Sequence, residues 1–408
     1  MDKLNNVSIV DKCIGCGLCA FLCPKDAIIM KEDLANDHFI YPSVNTNRCV
    51  SCGICLKKCP ATCLPNEKVD LYAPVYKYRF GNKESLLKSS SGGAFQGIVT
   101  DLFDEKCVVY GAAWNGLQVV HKRITNLSEL EQLLSSKYIQ SNIDKSIYKS
   151  IKDDLESGLF VVFSGTPCQN AAIASLVGEQ QRKQMLLIEI LCHGVPNQWG
   201  FDRCIEHEEK IIKGKIKEFA FRYKIDTNID NRKFKYVFET DSKKYSVIGD
   251  FQYFPFYKYF HTYSIYRSSC YQCKFREHRY SDIVIGDFWG ANKLLNYQNP
   301  WSISFMVPLT HKGKMVANKI GEAVNLSLID VAQENESFLK NRDPDEKYMD
   351  FYKRITDFNF YKKIRISPTK KKTEVMIKNV VKACINIFSP KYKKISLTKT
   401  TYKRQKYK

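Results

Sequence analysis

The chain has 408 residues, 44% of them hydrophobic, sixteen cysteines and a formal net charge of +20. That length exceeds one compact core, so two or three domains are expected. No run of about eighteen apolar residues occurs and the start MDKLNNVSIVDK has no apolar stretch, which predicts neither a spanning helix nor a signal peptide, and a cytoplasmic setting with reduced thiols.

The charge is unevenly placed. Residues 361–408 hold sixteen Lys or Arg and one acid, Glu374, leaving +5 for all the rest. Basic character confined to a tail is not the footprint of a nucleic-acid-binding fold, and no nucleic-acid partner is expected.

Taken in chain order, the first element is a cysteine repeat. Nine of the sixteen cysteines lie between Cys13 and Cys63, and Cys13, Cys16, Cys19, Cys23-Pro24 recur 36 residues later as Cys49, Cys52, Cys55, Cys59-Pro60. Each run reads C-x2-C-x2-C-x3-C-P, in which three thiolates wrap one 4Fe-4S cubane and the fourth crosses to the other. This assigns cluster I to Cys13, Cys16, Cys19 and Cys59, and cluster II to Cys49, Cys52, Cys55 and Cys23. Gly15, Gly17 and Gly53 let backbone N–H groups approach the sulfurs. Zinc accounts for the paired C-x2-C but not for two complete runs ending in Cys-Pro. Cys63 falls outside the pattern and reads as a packed thiol. Residues 1–65 are therefore expected to form an α+β, ferredoxin-like two-cluster domain.

A linker is expected through Pro74, and then strands and helices alternate. Residues 107–114 and 159–165 read as strands, 144–157 as a helix ended by Gly158, 185–191 as a further strand, and a helix is expected from Pro167. That alternation predicts an α/β domain with a largely parallel sheet over residues 75–340, in parts of about 75–160 and 161–340. The stretch 215–285, richer in aromatic and β-branched residues, predicts added antiparallel strands. Cys168, Cys192, Cys270 and Cys273 sit at the ends of elements, and the spacing alone leaves a third cluster and buried structural thiols equally open.

Ser91-Gly92-Gly93, Ser136-Lys137-Tyr138, Gly165-Thr166-Pro167-Cys168-Gln169, Cys192-His193-Gly194-Val195-Pro196, Cys270-Tyr271-Gln272-Cys273-Lys274, Ser281-Asp282 and Gly286-Asp287-Phe288-Trp289-Gly290 resemble the beta-subunit family of coenzyme F-420 hydrogenases and dehydrogenases. The resemblance covers about residues 75–340, joined to the ferredoxin repeat. It implies FAD beside a 4Fe-4S cluster in the larger domain, with Cys168, Cys192, Cys270 and Cys273 holding that third cluster.

No G-x-G-x-x-G follows a strand, so the flavin phosphates need another cradle. Ser90, Ser91, Gly92 and Gly93 precede the helical pattern AFQGIVTDLFDE, where hydroxyls and free N–H groups suit a pyrophosphate; a plain N-cap is the simpler alternative. Lys137 is a candidate charge for a phosphate or the reduced flavin. His193 is a candidate proton donor. Asp287, with Phe288 and Trp289, stands in a glycine-flanked loop where a ring would cover a flavin or substrate, or Asp287 would cap a helix.

Residues 373–388 place apolar side chains at i, i+3, i+4 spacing with lysines opposite, a pattern that suits an anionic membrane surface or docking on the body. The expected function is an iron–sulfur flavoprotein reductase, fed by reduced ferredoxin or a similar donor and acting on an organic acceptor. Bacterial members of this tandem form resemble proteins of cell-surface polysaccharide synthesis. The alternative is an electron-transfer subunit with no small substrate of its own.

Overall fold

The computed structural model describes residues 5–65, 68–227, 233–240, 243–297, 302–346 and 350–365, with the backbone of 396–397 and 404–406. In the N-terminal module the two cysteine runs fold alike. Short helices Leu18–Leu22 and Ile54–Lys57 each start after a glycine in the left-handed region, Gly17 (φ +78°) and Gly53 (φ +74°), a conformation in which a Cβ would be strained. Between them β1 (Ile28–Glu32) and β2 (Ile40–Val44) pair antiparallel. Within the module Val7, Ala20, Ile28 and Cys55 pack on one another, a cluster too small to hold so short a segment without further staples.

The body contains β3 (Pro74–Tyr78), β4 (Cys107–Asn115), β5 (Gln118–Ile124), β6 (Phe160–Gly165), β7 (Met185–Ile190), β8 (Lys215–Ala220), β9 (Lys233–Thr240), β10 (Lys243–Asp250), β11 (Ile283–Asp287), β12 (Ser304–Pro308) and β13 (Glu322–Ser327). A large mixed sheet runs β13-β3-β12-β11-β7-β6-β4-β5. Its centre, β4, β6, β7 and β11, is parallel. The near-continuous apolar runs Val161–Phe163 and Met185–Ile188, all fully buried, suit strands covered on both faces. On one face Val109, Val162, Leu186 and Ile285 meet Ile98 and Val99 of the helix Ala94–Leu102. On the other, Val108, Val161, Phe163 and Leu187 meet Tyr148 and Ile151 of the helix Lys145–Glu156. Leu18 joins this second layer, and the Tyr148 hydroxyl donates to the Cys16 carbonyl at 2.7 Å, so the cysteine module is seated on the body.

The antiparallel strands expected in 215–285 form their own sheet, β8-β9-β10, beside which Ser396–Leu397 and Arg404–Lys406 pair. The antiparallel strands of the main sheet come instead from 74–78, 118–124, 304–308 and 322–327. Pro74, read as linker, opens β3. The body also extends past residue 340: Phe351, Ile355 and Tyr361 are fully buried in the aromatic core with Phe201, Phe221 and Phe254, and Arg365 pairs with Glu208. Residues 361–365 thus belong to the body rather than to the tail, while the amphipathic pattern at 373–388 lies outside the described residues. No helix among the described residues is long and apolar enough to cross a membrane.

Candidate functional site

Three sets of thiols gather around small cavities. Cys13, Cys16, Cys19 and Cys59 line one; Cys23, Cys49, Cys52 and Cys55 line another. The last cysteine of each run has therefore crossed to the other set. Gly15 N–H donates to Cys13 Sγ at 3.4 Å and Ala27 N–H to Cys23 Sγ at 3.3 Å, the contacts that stabilise charge on cluster sulfur. Cys63 stands outside both sets and, contrary to the packed thiol expected, is exposed, donating to the Lys57 carbonyl at 3.2 Å.

Cys168, Cys270 and Cys273 line a third cavity. The chain folds this way because β6 and β7 are parallel neighbours, so Cys168, just after β6, and Cys192, just after β7, emerge at one edge. Burial, then the nearness of Cys270 and Cys168, pushes the Cys192 thiol well above its ordinary value, and burial pushes Cys168 up to about 12. Bare thiolates at such sites are costly, and only bound metal reverses that cost. Among the described residues no three His, Cys, Asp or Glu side chains are arranged to hold a single metal ion. Three thiols around this cavity and Cys192 beside them offer the four sulfur donors that a 4Fe-4S cluster takes.

Beside the third set a cleft of about 200 Å³ opens at the C-terminal ends of β6, β7 and β11. Its wall brings together Ser90, Ser91, Gly93, Lys137, Cys192 and His193, residues up to 103 positions apart in the chain. Ser91 Oγ donates to the Ile303 carbonyl at 2.7 Å and Gly92 N–H to Ser304 Oγ at 2.9 Å, which fixes the serine–glycine turn on the edge of β12. Gly93 (φ +82°) then starts the helix Ala94–Leu102, and Ala94, Phe95 and Gln96 of its first turn face the cleft. Ser90 Oγ accepts from Ser136 N–H at 2.6 Å and Ser136 Oγ at 2.8 Å. Lys137 Nζ donates to the Leu134 carbonyl at 2.7 Å, and burial brings its pKa down to about 7.

His193 is held down to about 4 by burial, then by Arg276, so its imidazole is neutral at pH 7. Asp287 is not in the cleft wall: Arg222 donates to its Oδ2 and to the Ser90 carbonyl at 3.0 Å. Nor does Asp287 cap the next helix, which begins after Gly290 (φ +77°). Phe288 is fully buried, 6.2 Å from Phe305 in the core, and cannot cover a ligand ring.

Arg222 and Lys224 are additions to the residues expected from sequence. Both are buried behind the serine turn, and Lys224 Nζ donates to the Leu86 and Ser91 carbonyls, its pKa lowered to about 7 by burial and then by Arg222. The available signal was FRYK at 221–224, which puts two cations on alternate positions directly after the strand Lys215–Ala220.

Residues 160–334 match the family model for the C terminus of the coenzyme F420 hydrogenase/dehydrogenase beta subunit. Residues 12–63 match the 4Fe-4S dicluster domain. No curated protein matches the chain. Among solved structures, a chain of the F420-reducing NiFe hydrogenase complex from Methanosarcina barkeri is 16% identical, with 67% of this chain and 91% of that chain covered at a TM-score of 0.42. The eight repeat cysteines fall inside the dicluster match, and Cys168, Cys192, Cys270 and Cys273 fall inside the other. An iron–sulfur electron-transfer protein with a 4Fe-4S dicluster domain at the N-terminus, the chain is related over residues 160–334 to the C terminus of the coenzyme F420 hydrogenase/dehydrogenase beta subunit.

Proposed function

We propose that this chain is an FAD-dependent iron–sulfur oxidoreductase that takes single electrons from reduced ferredoxin or a similar protein donor and delivers them in pairs to an organic acceptor. One observation carries the reading: Cys192 stands in the cleft wall and also against Cys168 and Cys270. A molecule in the cleft therefore touches the same thiol set that a third cluster would use. Ile14, in the wall of both the first and the third thiol cavities, extends the series into the dicluster module.

The cleft fits a phosphate-bearing cofactor by the chemistry of its donors. The first turn of the helix Ala94–Leu102 presents backbone N–H groups, Lys137 supplies a cation, and Gly93 keeps the approach free of a side chain. When bound, 4Fe-4S clusters would exchange one electron each, and FAD would combine two such electrons with a proton into a transferable hydride. His193, neutral at pH 7, stands in the cleft wall as a hydrogen-bonding group rather than as an acid, since a neutral imidazole could give up its remaining proton only as imidazolate. Arg222 neutralises Asp287 and braces Ser90 from behind. On the far side of the module Cys52 is exposed, with Val50 and Ile54 58% and 38% exposed beside it, a surface suited to a docking protein donor. The acceptor class implied by the tandem arrangement is an intermediate of cell-surface polysaccharide synthesis.

The test is iron, acid-labile sulfide and flavin per chain after anaerobic purification and reconstitution. About twelve irons and one FAD are expected; about eight irons without flavin would leave only the dicluster module and overturn the reading.

A further inference from the structure

Arg267 is 2% exposed, and among the described residues no carboxylate is paired with it. A cation taken out of water without a counter-charge is costly, so the surroundings must supply one. Two of the three thiol sets lie against it. It lines the third cavity with Cys168, Cys270 and Cys273. It also presses on the first cysteine loop, where a Cβ added at Gly15 would stand 2.4 Å from its Nη2. Gly15, itself at φ +68°, is the residue whose N–H donates to Cys13 Sγ.

The guanidinium is held in this seat. Nε donates to Gln140 Oε1 at 2.9 Å, and Gln140 Nε2 donates in turn to the Ile14 carbonyl at 2.8 Å. Nη2 donates to the Ile40 carbonyl at 3.2 Å. The rings of Phe39 and Tyr41 flank it at 4.5 Å and 4.8 Å. Nη1, equally buried, has no protein partner, which is the mark of a donor that awaits an acceptor outside the polypeptide.

Building on the cluster assignment above, we propose that Arg267 is a positioning residue shared by cluster I and the third cluster, the counter-charge that sets their two potentials together and favours electron passage between them. In that passage one electron leaves cluster I, which is oxidised by one, and enters the third cluster, which is reduced by one. Arginine keeps its protons throughout, so no proton accompanies the electron. A fixed positive charge favours the reduced, more negative state of any cluster it faces. The cavity of Cys23, Cys49, Cys52 and Cys55 does not include Arg267 in its wall and serves as the internal control.

The experiment is a potentiometric titration followed by electron paramagnetic resonance on the reconstituted full-length chain, for wild type, Arg267→Gln and Arg267→Lys, each with its iron counted. Arg267→Gln is expected to move two of the three midpoint potentials to more negative values and leave the third in place, with Arg267→Lys restoring most of the shift. A fully loaded Arg267→Gln chain with all three potentials unmoved, or an equal shift in both variants, overturns the proposal. Should Arg267→Gln fail to load iron, Gln140→Glu puts a carboxylate on Nε and is expected to lower the same two potentials; no shift there also overturns it. A wild-type chain that loads fewer than three clusters overturns the cluster assignment itself.

Discussion

Lys137 donates to the Leu134 and Gln132 carbonyls from a half-buried position, and its pKa of about 7 makes the cleft's charge depend on pH. Because burial lowers that pKa, the side chain is a cation below pH 7 and loses its charge as pH rises. A phosphate ligand binds the cation better, so affinity for the proposed FAD should weaken above pH 7, by up to about tenfold per unit. Titration of apo chain by flavin fluorescence quenching at pH 6 to 9 checks this, with Lys137→Met expected to bind weakly and without pH dependence. Lys137 was visible in the sequence through the Ser136-Lys137-Tyr138 element. Arg222, Lys224 and Arg267 were not, because their partners lie 132, 133 and 127 positions away at Ser90, Ser91 and Gln140. No local pattern encodes contacts of that range.

At the scale of elements, the serine–glycine turn is wedged between two strands. A Cβ at Gly92 would meet the Tyr78 carbonyl at 2.3 Å and the Ser304 N–H at 2.4 Å, both backbone atoms, so β3 or β12 would have to move. Gly92→Ala should destabilise the chain by roughly 1–3 kcal/mol, as overpacking does, and displace the start of the helix Ala94–Leu102. Gly81, with nothing within 4 Å of its Cβ position, is the control that should tolerate alanine; urea midpoints of the two variants separate the cases. β4, β6 and β7 were legible because central parallel strands are long apolar runs. β3 and β13 were harder to read. Their pairing joins residues 74–77 to 322–327, strands far apart in the chain, and β13, short and at the sheet edge, needs no distinctive pattern.

The molecule as a whole closes only when the chain beyond 340 returns to the body. The Tyr352 hydroxyl donates to the Ile265 carbonyl at 2.7 Å, and Phe351, Ile355 and Tyr361 fill the aromatic core. A chain ending at residue 340 uncovers that core, where losing even one large buried side chain costs about 3–5 kcal/mol. It should lose its cooperative melting transition by circular dichroism, while one ending at 365 should keep it. The composition shift at the basic tail suggested a boundary near 361 because lysines dominate from there on, yet burial follows the aromatic residues among them.

The cysteine module is fastened to the body at widely separated points: Lys145 pairs with Asp26 at 2.8 Å, Tyr148 donates to Cys16, Gln140 to Ile14, Asn197 to Asp37 and Tyr280 to Cys63. A free carrier must diffuse, dock and depart for each electron, and its rate falls with dilution. Covalent attachment and docking at fixed sites turn that encounter into a first-order event within one molecule. On the proposed path only the initial loading from outside would slow in a dilute solution, and each electron already aboard would reach the cleft at a rate that does not depend on how scarce the protein is.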